Sequence, residues 1–280
     1  AWAAMAHAGD WLASAFLSGV QGQPIYAQVR KAADTALRLD PNLAAAHNVR
    51  GEQLGIIDFD WKGSEAEQRR ALELEPGNNQ TMENLGVGRA QAGRSEEAIA
   101  MTRQSLVTDP MRASGYLLLA RYLTAADRLD EAERAIRRAI ELQPAAAHFD
   151  AGLVDIEVRR DDAKAALDAA QKVPPGNWQD YALAMASQIG NDRAAADAAL
   201  QRLIAKDADG MYFQIAEVQA VRGDANQTFA WLDRALANRD SGLQFLLVNP
   251  FILRFKDDPR FAAFCKRLGV PATTDAKAMP

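Results

Sequence analysis

Four prolines recur at one interval. Pro41, Pro76, Pro110 and Pro144 are separated by 35, 34 and 34 residues (76−41, 110−76, 144−110). Proline ends a helix because it lacks the N–H and its ring clashes with the preceding turn, while its fixed φ suits the start of the next helix. Leu39-Asp40-Pro41-Asn42 and Leu74-Glu75-Pro76-Gly77 therefore read as turns between repeated units. A unit of about 34 residues holding two helices cannot bury its own apolar stripe. Stability must come from stacking on neighbours, and the fold is quasi-one-dimensional.

The content of the units supports this. In "TMENLGVGRAQAGRSEEAIAMTRQSLVTDP", Met82, Leu85, Gly86, Ala98, Ser105 and Pro110 occupy the key positions, and "GYLLLARYLTAADRLDEAERAIRRAIELQP" repeats them with Tyr116, Leu119, Ala120, Leu123, Ala132, Ile136, Ala139 and Pro144. Tyr116, Leu119, Ala120 and Leu123 lie at i, i+3, i+4 and i+7, one apolar stripe on a first helix. Gly86, Ala120, Ala132 and Ala139 are small because the paired helices cross there, and a larger side chain overpacks the contact.

Along the chain, the first unit predicts a helix near 1–18, a long connection through Ser18-Gly19 and Gln23-Pro24, and a second helix near 25–39. In the second unit Gly51 is the small residue, and Asp58-Phe59-Asp60-Trp61 fills the helix junction. After Pro144 the period continues through Ala163, Leu167, Ala170 and Pro175. Helix pairs then follow at 178–189 with 192–205, using Leu183, Ala184, Ala196, Leu200 and Leu203, and at 208–222 with 225–238, using Tyr212, Ile215, Ala216, Thr228, Leu232 and Ala235. The fold class is all-α: an α-solenoid, wound as a right-handed superhelix, of about seven helix pairs. Two regions are expected, the solenoid over 1–240 and a C-terminal cap and tail over 241–280. A terminal repeat needs its apolar face covered, and Phe245, Leu246, Val248, Phe251, Phe255, Phe261, Phe264 and Leu268 read as that cap, with a last helix near 258–268.

Composition narrows function. A net charge of −5 and a pI near 5.4 argue against direct binding to nucleic acid or an anionic membrane, which need a basic footprint. Arg69-Arg70, Arg137-Arg138 and Arg159-Arg160 read as solvated helix faces. No apolar stretch approaches the roughly 18 to 20 residues of a membrane span, and the first residues lack the pattern of a signal peptide. The chain opens inside an amphipathic helix, "AWAAMAHAGDWLASAFL", and is expected to be part of a longer polypeptide. The lone Cys265 cannot form an internal disulfide. A cytoplasmic location is expected, with a bacterial periplasm as the alternative.

The residues offer no chemistry. His7, His47 and His148 sit in different units, and no His/Cys/Asp/Glu cluster has metal-ligand spacing, so neither a metal nor any other cofactor is expected. Gly86-Val87-Gly88 lies inside a helix, not in a phosphate loop. Asp161-Asp162 and Asp257-Asp258 stand at helix starts, where carboxylates offset the macrodipole. Cys265 falls on the apolar side of its helix with no activating partner nearby. The chain is not expected to be an enzyme.

"DFDWKGSEAEQRRALELEPGN" and "WLDRALANRDSGLQFLLVNPFILRFKDDPRFAAFCKRLGVP" resemble the tetratricopeptide region of bacterial regulators, which follows a class III adenylate/guanylate cyclase domain or a winged-helix DNA-binding domain. The resemblance implies a sensory or partner-binding module without catalysis of its own. Stacked repeats of this kind present an inner groove lined by the first helices. The groove candidates are Gln80, Glu83, Val87 and Gln91, then Ser114, Leu117, Arg121 and Thr124, and the expected ligand is a peptide or protein partner. Asn84 matches the two-carboxylate clamp of chaperone-binding relatives, but Val87 and Leu117 stand where polar clamp residues belong, so chaperone-tail binding is not expected. The alternative is a small-ligand sensor or oligomerisation module acting through the Phe-rich end, "LQFLLVNPFILRF".

Overall fold

The computed structural model describes residues 19–272. They run as α1 (Gly19–Leu39), α2 (Ala44–Ile56), α3 (Trp61–Leu74), α4 (Asn79–Gln91), α5 (Ser95–Thr108), α6 (Ala113–Ala125), α7 (Leu129–Leu142), α8 (Ala147–Arg159), α9 (Ala163–Ala170), α10 (Asn177–Gln188), α11 (Arg193–Asp207), α12 (Tyr212–Arg222), α13 (Ala225–Ala237) and α14 (Pro259–Leu268). Two 3₁₀ stretches, Ser241–Val248 and Ile252–Phe255, join α13 to α14, and no strand occurs among the described residues. The helix expected near 1–18 lies outside them. The connection expected through Pro24 is instead helical from Gly19 onward. A proline early in a helix removes a single backbone bond, and packing of the remaining turns overrides that loss.

Local chemistry sets the boundaries. Asp60, Asn78, Asp162, Asp192, Asp224 and Asp258 each accept a hydrogen bond from a backbone N–H in the first turn of the helix they precede, satisfying a donor that has no intrahelical partner. The turn inside each of the first four pairs closes through one left-handed residue: Phe59, Gly93, Asp127 and Asp161 recur at the repeat interval with φ of 55°, 73°, 59° and 61°. Glycine and aspartate tolerate this region; a phenylalanine there is strained.

The pairs α2/α3, α4/α5, α6/α7, α8/α9, α10/α11 and α12/α13 stack in sequence order, and α1 packs on α2. First helices also touch one another from unit to unit, α2 on α4, α4 on α6, and so on to α10 on α12, so they form the inner wall. Ala98, Ala132 and Ala139 at the crossings are fully buried. Ala132→Phe is expected to lower stability by about 1–3 kcal/mol through overpacking, measured by urea denaturation; an unchanged midpoint would mean that α6 and α7 do not cross at this residue.

The stack curls until the turn between α2 and α3 meets the C-terminal segment. Trp61 Nε1 donates to the carbonyl of Leu268 at 2.9 Å, and Arg239 Nη1 donates to the carbonyl of Ile57 at 2.9 Å. The Arg239 guanidinium also lies 5.2 Å from the centroid of Phe59. Phe59 and Trp61 pack against the C-terminal core, so the turn expected only to fill its own helix junction also clasps the far end of the chain. Strain at Phe59 is held by that contact. α14 covers the open side of α13 with Phe261, Phe264, Cys265 and Leu268, all buried.

Candidate functional site

Residues 240–254 do more than cover the last repeat: they thread the inner wall. The run starts where Asp240 accepts hydrogen bonds from the backbone N–H of Phe213 (3.0 Å) and of Gly242 (2.8 Å). It continues past mid-α12, where Asn249 Nδ2 donates to Glu217 Oε1 at 2.5 Å, and ends where Arg254 Nη1 donates to the carbonyls of Ala220 and Val221. The run therefore lies parallel to α12, with the stretch 241–248 packed mainly on α4 and also on α2 and α6. Gly242 is required by the close approach: a Cβ there would sit 2.6 Å from the Cβ and Cγ of Phe213.

The run joins two cores. Leu243, Leu246, Leu247, Phe251 and Ile252 belong to the C-terminal cluster, whereas Val248 belongs to the cluster built from α4 to α8, against which Phe245 also packs. Between them remains a cavity of about 40 Å³ lined by Leu117, Ala120, Arg121, Thr124, Asp155, Glu217, Phe245 and Asn249, among others. Arg121 lies over the Phe245 ring, 4.5 Å from its centroid.

A polar cluster backs this cavity. Tyr181 Oη is 2.9 Å from Asp155 Oδ1 and 3.2 Å from Glu217 Oε2. Burial pushes both carboxyls well above the ordinary carboxylate range, their mutual repulsion adds to the shift of Glu217, and the Arg121 charge opposes both shifts. Burial and the neighbouring carboxyls raise the Tyr181 phenol likewise. His148, half-buried and repelled by Arg121, is lowered to about 4.

The sequence-based candidates divide into three groups. Leu117, Arg121 and Thr124 come together on the cavity wall, facing the chain's own run. Gln80, Glu83 and Ser114 converge on a different partner, Arg112, or on each other. Arg112 grips both Glu83 oxygens at 2.8 and 2.9 Å and donates to Gln80 Oε1 at 2.6 Å, while Ser114 Oγ donates to Glu83 at 3.3 Å. Glu83 is only 1% exposed and also accepts from Ser105 Oγ, so its carboxylate is fully engaged inside the stack. Val87 is half-buried on α4, and Gln91 is buried beside a separate cleft of about 390 Å³ between α3, α4 and Gly269–Pro271.

Sequence reasoning missed Asp155, Tyr181, Glu217 and Asn249. One signal existed: Val87, Arg121 and Asp155 are spaced 34 apart (121−87, 155−121), the same inner position in successive units. Elsewhere, His47 bonds Glu67 and the carbonyl of Pro41, and burial raises the Cys265 thiol to about 11, which leaves it inert. Among the described residues no group of three or more His, Cys, Asp or Glu could hold a metal ion, and no helix is long and apolar enough to cross a membrane.

Helix pairs stacked in order, first helices inside, small residues at the crossings and a left-handed residue closing the turn in successive pairs define the tetratricopeptide fold. Solved structures agree. The chain is similar to Pseudomonas aeruginosa pilF, with a TM-score of 0.55 and 16% identity over 78% of this chain and 96% of that one. It is also similar to a tetratricopeptide repeat protein from Parabacteroides merdae, with a TM-score of 0.57 and 11% identity over 88% and 98% of the two chains. No family model matches the sequence, and no curated protein matches it.

Proposed function

We propose that the chain is a non-catalytic interaction module whose inner groove binds an extended segment of a partner protein. The observation that carries this reading is the groove's content: a stretch of mostly apolar residues, 241–252, already lies along α12, α4 and α6 as a ligand would, anchored by an aromatic ring and one carboxamide. Such recognition uses buried apolar anchors for affinity and a few polar contacts for register. The groove candidates on this wall are Leu117, Arg121 and Thr124, with Val87 one unit earlier. Panning a random peptide library against the chain is expected to yield binders rich in Phe and Leu that lose affinity at least about tenfold, about 1.4 kcal/mol, with Leu117→Glu. Binders indifferent to that change would refute the groove as the site.

The resemblance of the "DFDW" turn and the "DPRF…LGVP" ending to bacterial regulators supports a finer reading, a sensory or regulatory part of a signalling or transcription protein. The partner is then a protein, and neither nucleic acid nor a membrane surface fits the acidic charge. A cytoplasmic setting goes with such a regulator and a bacterial periplasm with a free-standing module; cell fractionation separates them. The rival reading, oligomerisation or small-ligand sensing through the Phe-rich end, is weakened because Leu243, Leu246, Leu247, Phe251 and Ile252 of that stretch are buried within one chain.

A further inference from the structure

The proton count of the cluster behind the groove is the starting point. Tyr181 has one hydroxyl proton, yet its oxygen lies within hydrogen-bond distance of both Asp155 Oδ1 and Glu217 Oε2. If one carboxyl is protonated it donates to the Tyr181 oxygen, Tyr181 donates to the other, and every contact is satisfied. If both are ionised, one carboxylate faces a lone pair and a like charge in a largely desolvated site, where Glu217 is buried and Asp155 half-buried, which is costly. Glu217 is also the residue that holds Asn249, the sole carboxamide of the threaded run that reaches it.

We propose that Asp155, Tyr181, Glu217 and Asn249 form a latch that seats the run 241–252 in the groove, and that ionisation of both carboxyls releases the run and bares the groove for a partner. The regulatory step rests on the groove reading above; the latch itself does not. The groups facing the pair are Arg121 from α6, Tyr181 from α10 and Asn249 from the run, while His148, at the start of α8, meets the charge of Arg121 and neither carboxyl directly. His148, lowered to about 4, stays neutral through the range in which the pair titrates. On α4, Glu83 is taken by Arg112, and Arg89 by Glu65 and Glu97. Asp240, at the start of the run, is raised by burial and works in the same direction.

The sign follows from linkage. Both carboxyls bind a proton more tightly in the closed state than in water, where they release it near pH 4. The closed state is therefore favoured in full below about pH 4 and weakens as pH rises through the elevated values of the pair, by up to roughly tenfold in population per pH unit for each proton released.

Amide hydrogen exchange, corrected for intrinsic rates, tests this on the whole chain between about pH 5 and about pH 9, a window above the ordinary carboxyl range. Protection of amides 243–252 is expected to fall at least about tenfold more than that of α7 across the window, and D155N/E217Q is expected to abolish this difference. Asn249→Ala, which leaves both carboxyls in place, is expected to lower protection of the run even at the acid end. Protection of the run that tracks α7 at every pH, or the same pH dependence in D155N/E217Q as in the parent, overturns the latch. A synthetic Ser241–Ile252 peptide supplies the second arm. Peptide capture on opening supports both readings, whereas opening without capture upholds the latch and removes the groove as a partner site.

Discussion

Arg112→Leu is expected to destabilise the chain by about 3–5 kcal/mol, measured by chemical denaturation, because it strands the Glu83 carboxylate inside the stack. Arg112 meets both oxygens of that carboxylate in a bidentate grip, and Glu83 has almost no surface of its own. The pair joins α4 to the N-cap residue at the start of α6, so its loss also loosens two neighbouring units. Glu83→Gln keeps an acceptor for Arg112 and removes the charge at the same stroke; it is expected to cost less, about 1–3 kcal/mol. Equal and negligible losses in both variants would mean that Glu83 faces water and is free to meet a ligand. The expected asymmetry marks Glu83 as structural and separates it from Leu117 and Arg121.

Phe261→Ala is expected to remove about 3–5 kcal/mol. Phe261 is completely buried where α14 meets α13, in the core that also holds Leu246, Leu247 and Ile252 of the threaded run. Because stability in a stack is shared between neighbours, the damage should not stay local. α14, the run and the Trp61 contact are expected to loosen before α4 to α7, giving a broadened or two-step urea transition. Fluorescence of Phe261→Ala in a background that keeps Trp61 as its sole tryptophan reports the first step, and helix ellipticity the second. A single coincident transition would show that the end of the chain is no weaker than its middle.

The repeat was legible because proline and small side chains act locally. A helix stop at Pro76, Pro110 or Pro144 and a crossing at Ala98 or Ala132 depend on steric facts that travel with the residue. The helix starts were readable for the same reason, as Asp162 and Asp258 show. The content of the groove was not, because nothing in "SGLQFLLVNP" distinguishes residues that cover a last repeat from residues that turn inward. The difference lies in partners far along the chain, Glu217 for Asn249 and Arg121 for Phe245. Glu83 was misleading for a related reason: its inner-face position suggested access, and only the neighbouring Arg112 shows the carboxylate to be occupied. Asp155 was within reach through the period, but its meaning depends on Glu217 and Tyr181, which lie in other units and meet it only in the folded stack.

Joining Trp61 to Leu268 and Ile57 to Arg239 turns an open-ended architecture into one of fixed size. Most stacked-repeat chains can lengthen or shorten by a unit with little consequence beyond the added surface. Here each extra or missing unit would carry the two docking points past one another, so copy number becomes a heritable constraint. Duplication within this lineage should be tolerated only as whole additional rings or as outgrowths beyond the clasp.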